Sequence, residues 1–169
     1  MSIRKTKMSD LDEVCRIYAD ARAFMRENGN PNQWKNTHPA LEVIVRDIHA
    51  ESSYVYERGS EIAAVFFFST ERDPTYSAID GAWLNDENYG VVHRIARARS
   101  ASGAGALCLE WCYEQCGNLR IDTHRDNAVM RNRLEKMGFA YCGIIWLENG
   151  EERLAYQKGK REEGSVDIV

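Results

Sequence analysis

The stretch His93–Phe139, HRIARARSASGAGALCLEWCYEQCGNLRIDTHRDNAVMRNRLEKMGF, constrains the fold more than any other part of the chain. It reads as a strand, a short loop of small residues, a helix, a second strand and a second helix. The loop Ser100–Ala106 (SASGAGA) runs straight into an apolar helix over Ala104–Cys116, which Gly117 ends. Small side chains leave the first backbone N–H groups of that helix uncovered at the positive end of its dipole, which suits a phosphorylated ligand. Two familiar phosphate motifs are excluded. No Gly-Lys-Ser/Thr follows, as a P-loop needs, and the Gly-x-Gly-x-x-Gly dinucleotide pattern is incomplete.

The flanking segments supply the rest of a sheet and its cover. Ser2–Lys5 reads as an opening strand. Ser9 stands where a helix N-cap would, ahead of Asp10, Asp12 and Glu13, and Leu11, Val14, Ile17, Tyr18, Phe24 and Met25 recur at helical spacing. Gly29 closes that helix, and a turn-rich segment Asn30–Pro39 follows. A second helix is expected over Ala40–Ala50. Ser53–Arg58 and Glu61–Thr70 form a hairpin across Gly59-Ser60, and Glu71–Tyr89 reads as a loop. Gly90–Arg97 and Leu119–Thr123 are strands, Asn127–Met137 is a helix stopped by Gly138, and Phe139–Leu147 pairs with Glu152–Lys158 across Asn149-Gly150. The order β-α-α-β-β-β-α-β-α-β-β predicts an α/β fold of α+β type, a mixed sheet with helices on its faces. One domain over residues 1–158 is expected, followed by a polar tail, 159–169.

Composition narrows the partners. At 169 residues the chain can bury one core. A net charge of −4 gives nucleic acid no electrostatic attraction, and no stretch approaches the roughly 20 apolar residues that span a bilayer. The N-terminus shows no apolar signal segment, so a cytoplasmic location is expected, without nucleic-acid or membrane partners. Five cysteines, an odd count, argue against a disulfide framework. Cys108, Cys112 and Cys116 share a helix face and are assigned to packing rather than to a metal, since no His or second Cys pair stands at ligand spacing.

Set beside the order of elements, three motifs resemble the GNAT superfamily of N-acetyltransferases, in particular its small single-domain bacterial branch, over about Ile3–Lys158. Ser100-Ala101-Ser102-Gly103-Ala104-Gly105 is similar to the family loop Gln/Arg-x-x-Gly-x-Gly/Ala. Asn127 follows the strand Leu119–Thr123, and its helix ends at Lys136-Met137-Gly138-Phe139. Asp122-Thr123-His124 and Phe24-Met25…Asn30-Pro31-Asn32-Gln33-Trp34 are the third. The resemblance implies acetyl-CoA as cosubstrate, with no metal, in a V-shaped opening between Gly90–Arg97 and Leu119–Thr123. It implies that backbone at Ile95, Ala96 and Arg97 pairs with the pantetheine arm. The pyrophosphate would rest on the N–H groups of Ser102, Gly103, Ala104, Gly105 and Ala106, and Asn127 would hydrogen-bond the cosubstrate. Two positions depart from the pattern. Ser100 replaces the usual Gln or Arg, leaving Arg97 and Arg99 either to supply charge or to remain solvated. Leu134 replaces the Tyr that acts as general acid in many members.

The chemistry sets its own demands. An amine with a pKa of about 10.4 must lose a proton before it attacks, whereas a thiol of about 8.5 leaves tolerably without a strong acid. Among His124, Asp122, His93 and Glu110 as proton carriers, His124 and Asp122 are taken as the catalytic pair. They share a strand face at period two, near the carboxyl end where ligands gather in open sheets. The competing reading makes His124 a shaper of the loop before Asn127 and Asp122 an ion-pair partner. The resemblance implies direct transfer without a covalent intermediate, so Cys142 is assigned to packing rather than to a nucleophile. Asn32, Gln33 and Trp34 suit the wall of an acceptor pocket, or else a turn whose Trp covers the core. The expected activity is direct transfer of acetyl to a primary amine on a small molecule, amino acid, peptide or protein, with a homodimer as the candidate assembly. The alternative is a non-catalytic acyl-CoA-binding sensor or interaction module.

Overall fold

The structure, a computed structural model, describes residues 2–160. The chain forms β1 (Ser2–Lys5), α1 (Leu11–Glu27), α2 (Leu41–His49), β2 (Ser53–Arg58), β3 (Glu61–Ser69) and β4 (Asp80–Gly81). It continues through β5 (Gly90–Arg97), α3 (Ala104–Cys116), β6 (Leu119–Thr123), α4 (Ala128–Lys136), β7 (Ala140–Trp146) and β8 (Glu152–Lys158). The strands make one mixed sheet in the order β1-β2-β3-β5-β6-β8-β7-β4. Its single parallel junction, β5 with β6, is spanned by the α3 crossover, as parallel pairing requires.

Alternating apolar residues bury both faces of this sheet. On one face α3 and α4 cover Phe66, Val92, Ile121 and Tyr156, with Cys108 and Cys112 of α3 packed into the same core. Burial pushes the Cys108 thiol up to about 12, so it is inert at neutral pH. On the other face α1 and α2 cover Val55, Val65 and Ala96, while Tyr76, Tyr89, Val91 and Ala155 form a smaller cluster beyond.

Three expectations are corrected. Ser9 does not cap α1. It lies within a 3-10 turn, Met8–Asp10, and the Asp10 carboxylate instead accepts from the Lys7 N–H at 2.7 Å while pairing with Arg4 at 2.8 Å. The segment after β3 is not all loop: it holds a 3-10 turn, Pro74–Tyr76, and the two-residue strand β4, which adds one strand to the expected order. β4 lies so close to β7 that a Cβ on Gly81 would collide with the Cys142 carbonyl, and Gly143 opposite is equally constrained. β3 ends at Ser69, one residue earlier than expected, and α2, α4 and β7 are each one residue shorter at both ends. Of the expected tail, residues 161–169 lie outside the described residues.

Candidate active site

β5 and β6 pair only at Gly90–Leu119 and Val91–Arg120. From Val92 and Ile121 onward no ladder joins them, so the sheet splays open beyond a closed base. β5 also bulges. The register with β3 passes from Phe67–His93 to Val65–Ala96, which puts one extra residue on β5, and Arg94 takes φ 51°. The bulge is pinned from two helices. Tyr18 of α1 donates to the Arg94 carbonyl at 3.0 Å, and the Arg94 guanidinium grips buried Asp47 of α2 at 2.7 Å.

The splayed strands frame one cleft with two limbs that share Met25, Ile95, Asn127 and Met130 in their walls. The narrow limb runs along Ile95, Ala96 and Arg97 to Gly105 and Arg133. There α3 begins after Gly103, whose φ of 79° is the left-handed conformation that glycine adopts without strain. The first helical bond runs from the Leu107 N–H to the Gly103 carbonyl, so the N–H groups of Gly105 and Ala106 precede the ladder. Arg133 of α4 lies over this bare start: a Cβ on Gly105 would come within 2.7 Å of its Nη1. Arg133 is half-buried, no carboxylate pairs with it among the described residues, and burial with the nearby Arg97 guanidinium lowers its proton affinity. A half-buried guanidinium with no carboxylate partner among the described residues, beside free helix N–H groups, fits a diphosphate.

The wide limb is a cavity of about 320 Å³. On its floor His93 of β5 meets two carboxylates. Its Nε2 lies 2.6 Å from Asp73 Oδ2, and its Nδ1 lies 3.7 Å from Asp122 Oδ2. Tyr76 donates to the same Asp122 oxygen at 2.7 Å. Burial would raise the Asp73 carboxyl, but hydrogen bonds from His93 and Thr75 hold it down to about 2. An ionised Asp73 has no proton to give, so the Nε2–H donates to it, and Nδ1 is the nitrogen on the Asp122 side of the ring. Burial, Arg94 and Arg153 push His38, in the wall, down to about 4, so it is neutral at physiological pH. At the rim Lys35 and Arg153 share the Glu151 carboxylate at 2.9 and 3.2 Å.

A crystal structure of a GNAT-family acetyltransferase from Streptococcus agalactiae superposes with a TM-score of 0.84 at 30% identity, over 95% of this chain and 96% of that one. This chain belongs to the GNAT family of acetyltransferases. Two more distant GNAT-like folds agree in shape alone. A putative acetyltransferase from Staphylococcus aureus matches at TM-score 0.70 and 23% identity, over 94% of this chain and 99% of that one. One from Salmonella typhimurium, solved with its cofactor acetyl-CoA, matches at 0.62 and 13%, over 99% of this chain and 98% of that one. No family model and no curated protein sequence matches.

In this GNAT chain the residues singled out from the sequence fall in different places. Ile95, Ala96, Arg97, Gly105 and Asn127 line the narrow limb, and Ser102, Gly103, Ala104 and Ala106 make the loop and first turn beside it. Arg97 and Arg99 are partly engaged. Arg97 donates to the carbonyls of Ala98 and Arg99, and Arg99 pairs with Glu27 at 2.9 Å. Asn127 caps α4, its Oδ1 accepting from the Met130 N–H while its Nδ2 donates to Gln33. Gln33 and Trp34 line the wide limb, whereas Asn32 does not. Asn32 lies with His124 in a separate depression beyond Arg153. Asp122 is on the cleft floor, but His124 turns away from it: its Nδ1 accepts from the Asp126 N–H at 3.1 Å, and burial together with Arg153 lowers its pKa. Glu110 pairs with Lys158 on the outside of α3. Leu134 is fully buried in the core under α4, so the residue that faces the cleft at that turn is Arg133. Asp73, Tyr76, Arg133 and Arg153 had no sequence signal pointing to the site. Asp73-Pro74 reads locally as a turn start, and only tertiary packing brings it to His93.

Proposed function

We propose that the chain moves an acetyl group from acetyl-CoA to a primary amine by direct transfer, with His93 taking the amine proton and Asp122 holding the amine. The carrying observation is His93 itself, on the cleft floor with one nitrogen fixed by ionised Asp73 and the other facing Asp122 and the cavity. Acetyl-CoA, when bound, supplies the acetyl group as a thioester. Gly105, Ala106 and Arg133 would hold its diphosphate. The unpaired inner edge of β5 offers N–H groups to the rest, and a preorganised N–H can also stabilise negative charge on the acetyl oxygen. The bound ammonium first gives one proton to solvent; as the N–C bond of the resulting amine forms the C–S bond breaks, the electron pair leaves on sulfur, and the second proton passes to His93 Nδ1. A thiol of moderate pKa leaves without an acid at position 134. We assign His124 to shaping the turn before Asn127, since it donates nothing to the cleft.

The test is release of free CoA, with mass detection of the acetylated product, across a panel of amines. Replacing His93 with Gln is expected to lower kcat by about 10²-fold or more with the KM for acetyl-CoA unchanged. A His124→Ala variant is expected to keep the wild-type pH profile. Full activity in H93Q would remove His93 from the chemistry. CoA binding with no turnover of any amine would favour the non-catalytic module.

A further inference from the structure

The two ends of the wide limb carry opposite charge. On the floor Asp73 and Asp122 flank one histidine. At the rim Lys35 and Arg153 share the single carboxylate of Glu151, so two positive charges meet one negative and one positive charge is left over. Arg153 is almost wholly buried, its Nη1 spent on the Glu152 carbonyl and its Nη2 directed between Glu151 and the Gln33 carbonyl. Arg94 adds nothing to the excess, because buried Asp47 neutralises it.

Strand register sets the span between the ends. Asp122 of β6 faces Ala155 of β8, and Arg153 lies two residues further along β8 on the same face. That is about 7 Å along the strand, and side chains reaching inward shorten it. In the wall between the ends, burial first, then Arg94 and Arg153, hold His38 neutral, so it adds no charge to either end.

We propose that the acceptor is a free amino acid, its ammonium placed on the Asp122–His93 floor and its carboxylate held at the rim by Arg153 and Lys35. This rests on the acetyl-transfer reading above and adds the acceptor's second charge to it. A simple alkylamine would leave the rim charge uncompensated, and a polyamine would set a second ammonium against it. A cavity of about 320 Å³ has room for a molecule of amino-acid size.

The experiment compares matched acceptors on the full chain at saturating acetyl-CoA. Each of a set of free amino acids is assayed against its decarboxylated amine and its carboxamide. The acid form is expected to exceed both by roughly tenfold or more in kcat/KM, the scale of a charge-assisted hydrogen bond. Arg153→Gln is expected to raise KM for the acid form by a similar factor and to raise it much less for the decarboxylated amine, so that the preference for the acid form collapses. Arg153 is buried, so the exposed Lys35→Gln is read in parallel, and the same selective KM rise is expected there. Equal or better turnover of the decarboxylated amines, or of polyamines, overturns the amino-acid proposal while leaving acetyl transfer standing. Equal loss on all acceptors in both variants overturns it as well. If no amine of any kind is acetylated, acetyl transfer itself fails and the proposal falls with it.

Discussion

Asp73 ties the turn after β3 to the strand that lines the cleft, and its charge state can be followed by titration. Its folded pKa of about 2 lies below the ordinary 3.8. Ionised Asp73 therefore stabilises the fold above the ordinary value, and that contribution is lost as pH falls toward the folded one. Thermal unfolding of wild type and Asp73→Asn is expected to differ most near neutrality and to converge as the pH drops from about 4 to about 2. A gap that persists in acid would show that Asp73 acts through shape alone. Gly105 gives a second test at this scale. A methyl there meets only the tip of the flexible Arg133 side chain, so Gly105→Ala is expected to raise the KM for acetyl-CoA with little change in Tm. An unchanged KM would take Arg133 away from the phosphates.

Two elements carry the site, β5 and α4. The β5 bulge persists because α1 and α2 hold it, through Tyr18 on the Arg94 carbonyl and Asp47 on the Arg94 guanidinium. Asp47→Ala would strand a largely buried positive charge, at a cost on the order of 3 kcal/mol, read by chemical denaturation. A loss within error would mean the bulge is set by β3 and β5 alone. For α4 the question is the acid position. Leu134 is fully buried among core residues. Leu134→Tyr is therefore expected to overpack that core, costing about 1–3 kcal/mol, and to leave kcat no higher. A faster, equally stable variant would show that the side chain at 134 can turn to the cleft.

At the scale of the whole molecule, what the sequence revealed follows how local each feature is. β5, α3 and β6 carry strong periods and clear stops, and the phosphate-side limb is built from neighbours in sequence, Ile95–Arg97 with Ser102–Ala106, so both could be read from residues. β4 has two residues and no period, and it exists because Gly81 and Gly143 let two backbones approach. The acceptor limb draws on segments 33–38, 73–76, 93–94 and 151–153, and no local pattern announces that they meet. In one dimension His124 shares a strand face with Asp122, yet its ring sits in the depression beyond Arg153, where it accepts from the Asp126 N–H. The short β5–β6 junction has a further effect. The molecule is two half-sheets, β1-β2-β3-β5 and β6-β8-β7-β4, fastened edge to edge by two residue pairs and the α3 crossover, with Asn118 bonded to Asn85 and Asn88 beside the seam. A cosubstrate laid along the open length would act as mortar between the halves, and mass action makes that gain grow with its concentration. Limited proteolysis with rising CoA is expected to show slower cutting, which would make the protein's lifetime a gauge of the acyl-CoA supply around it.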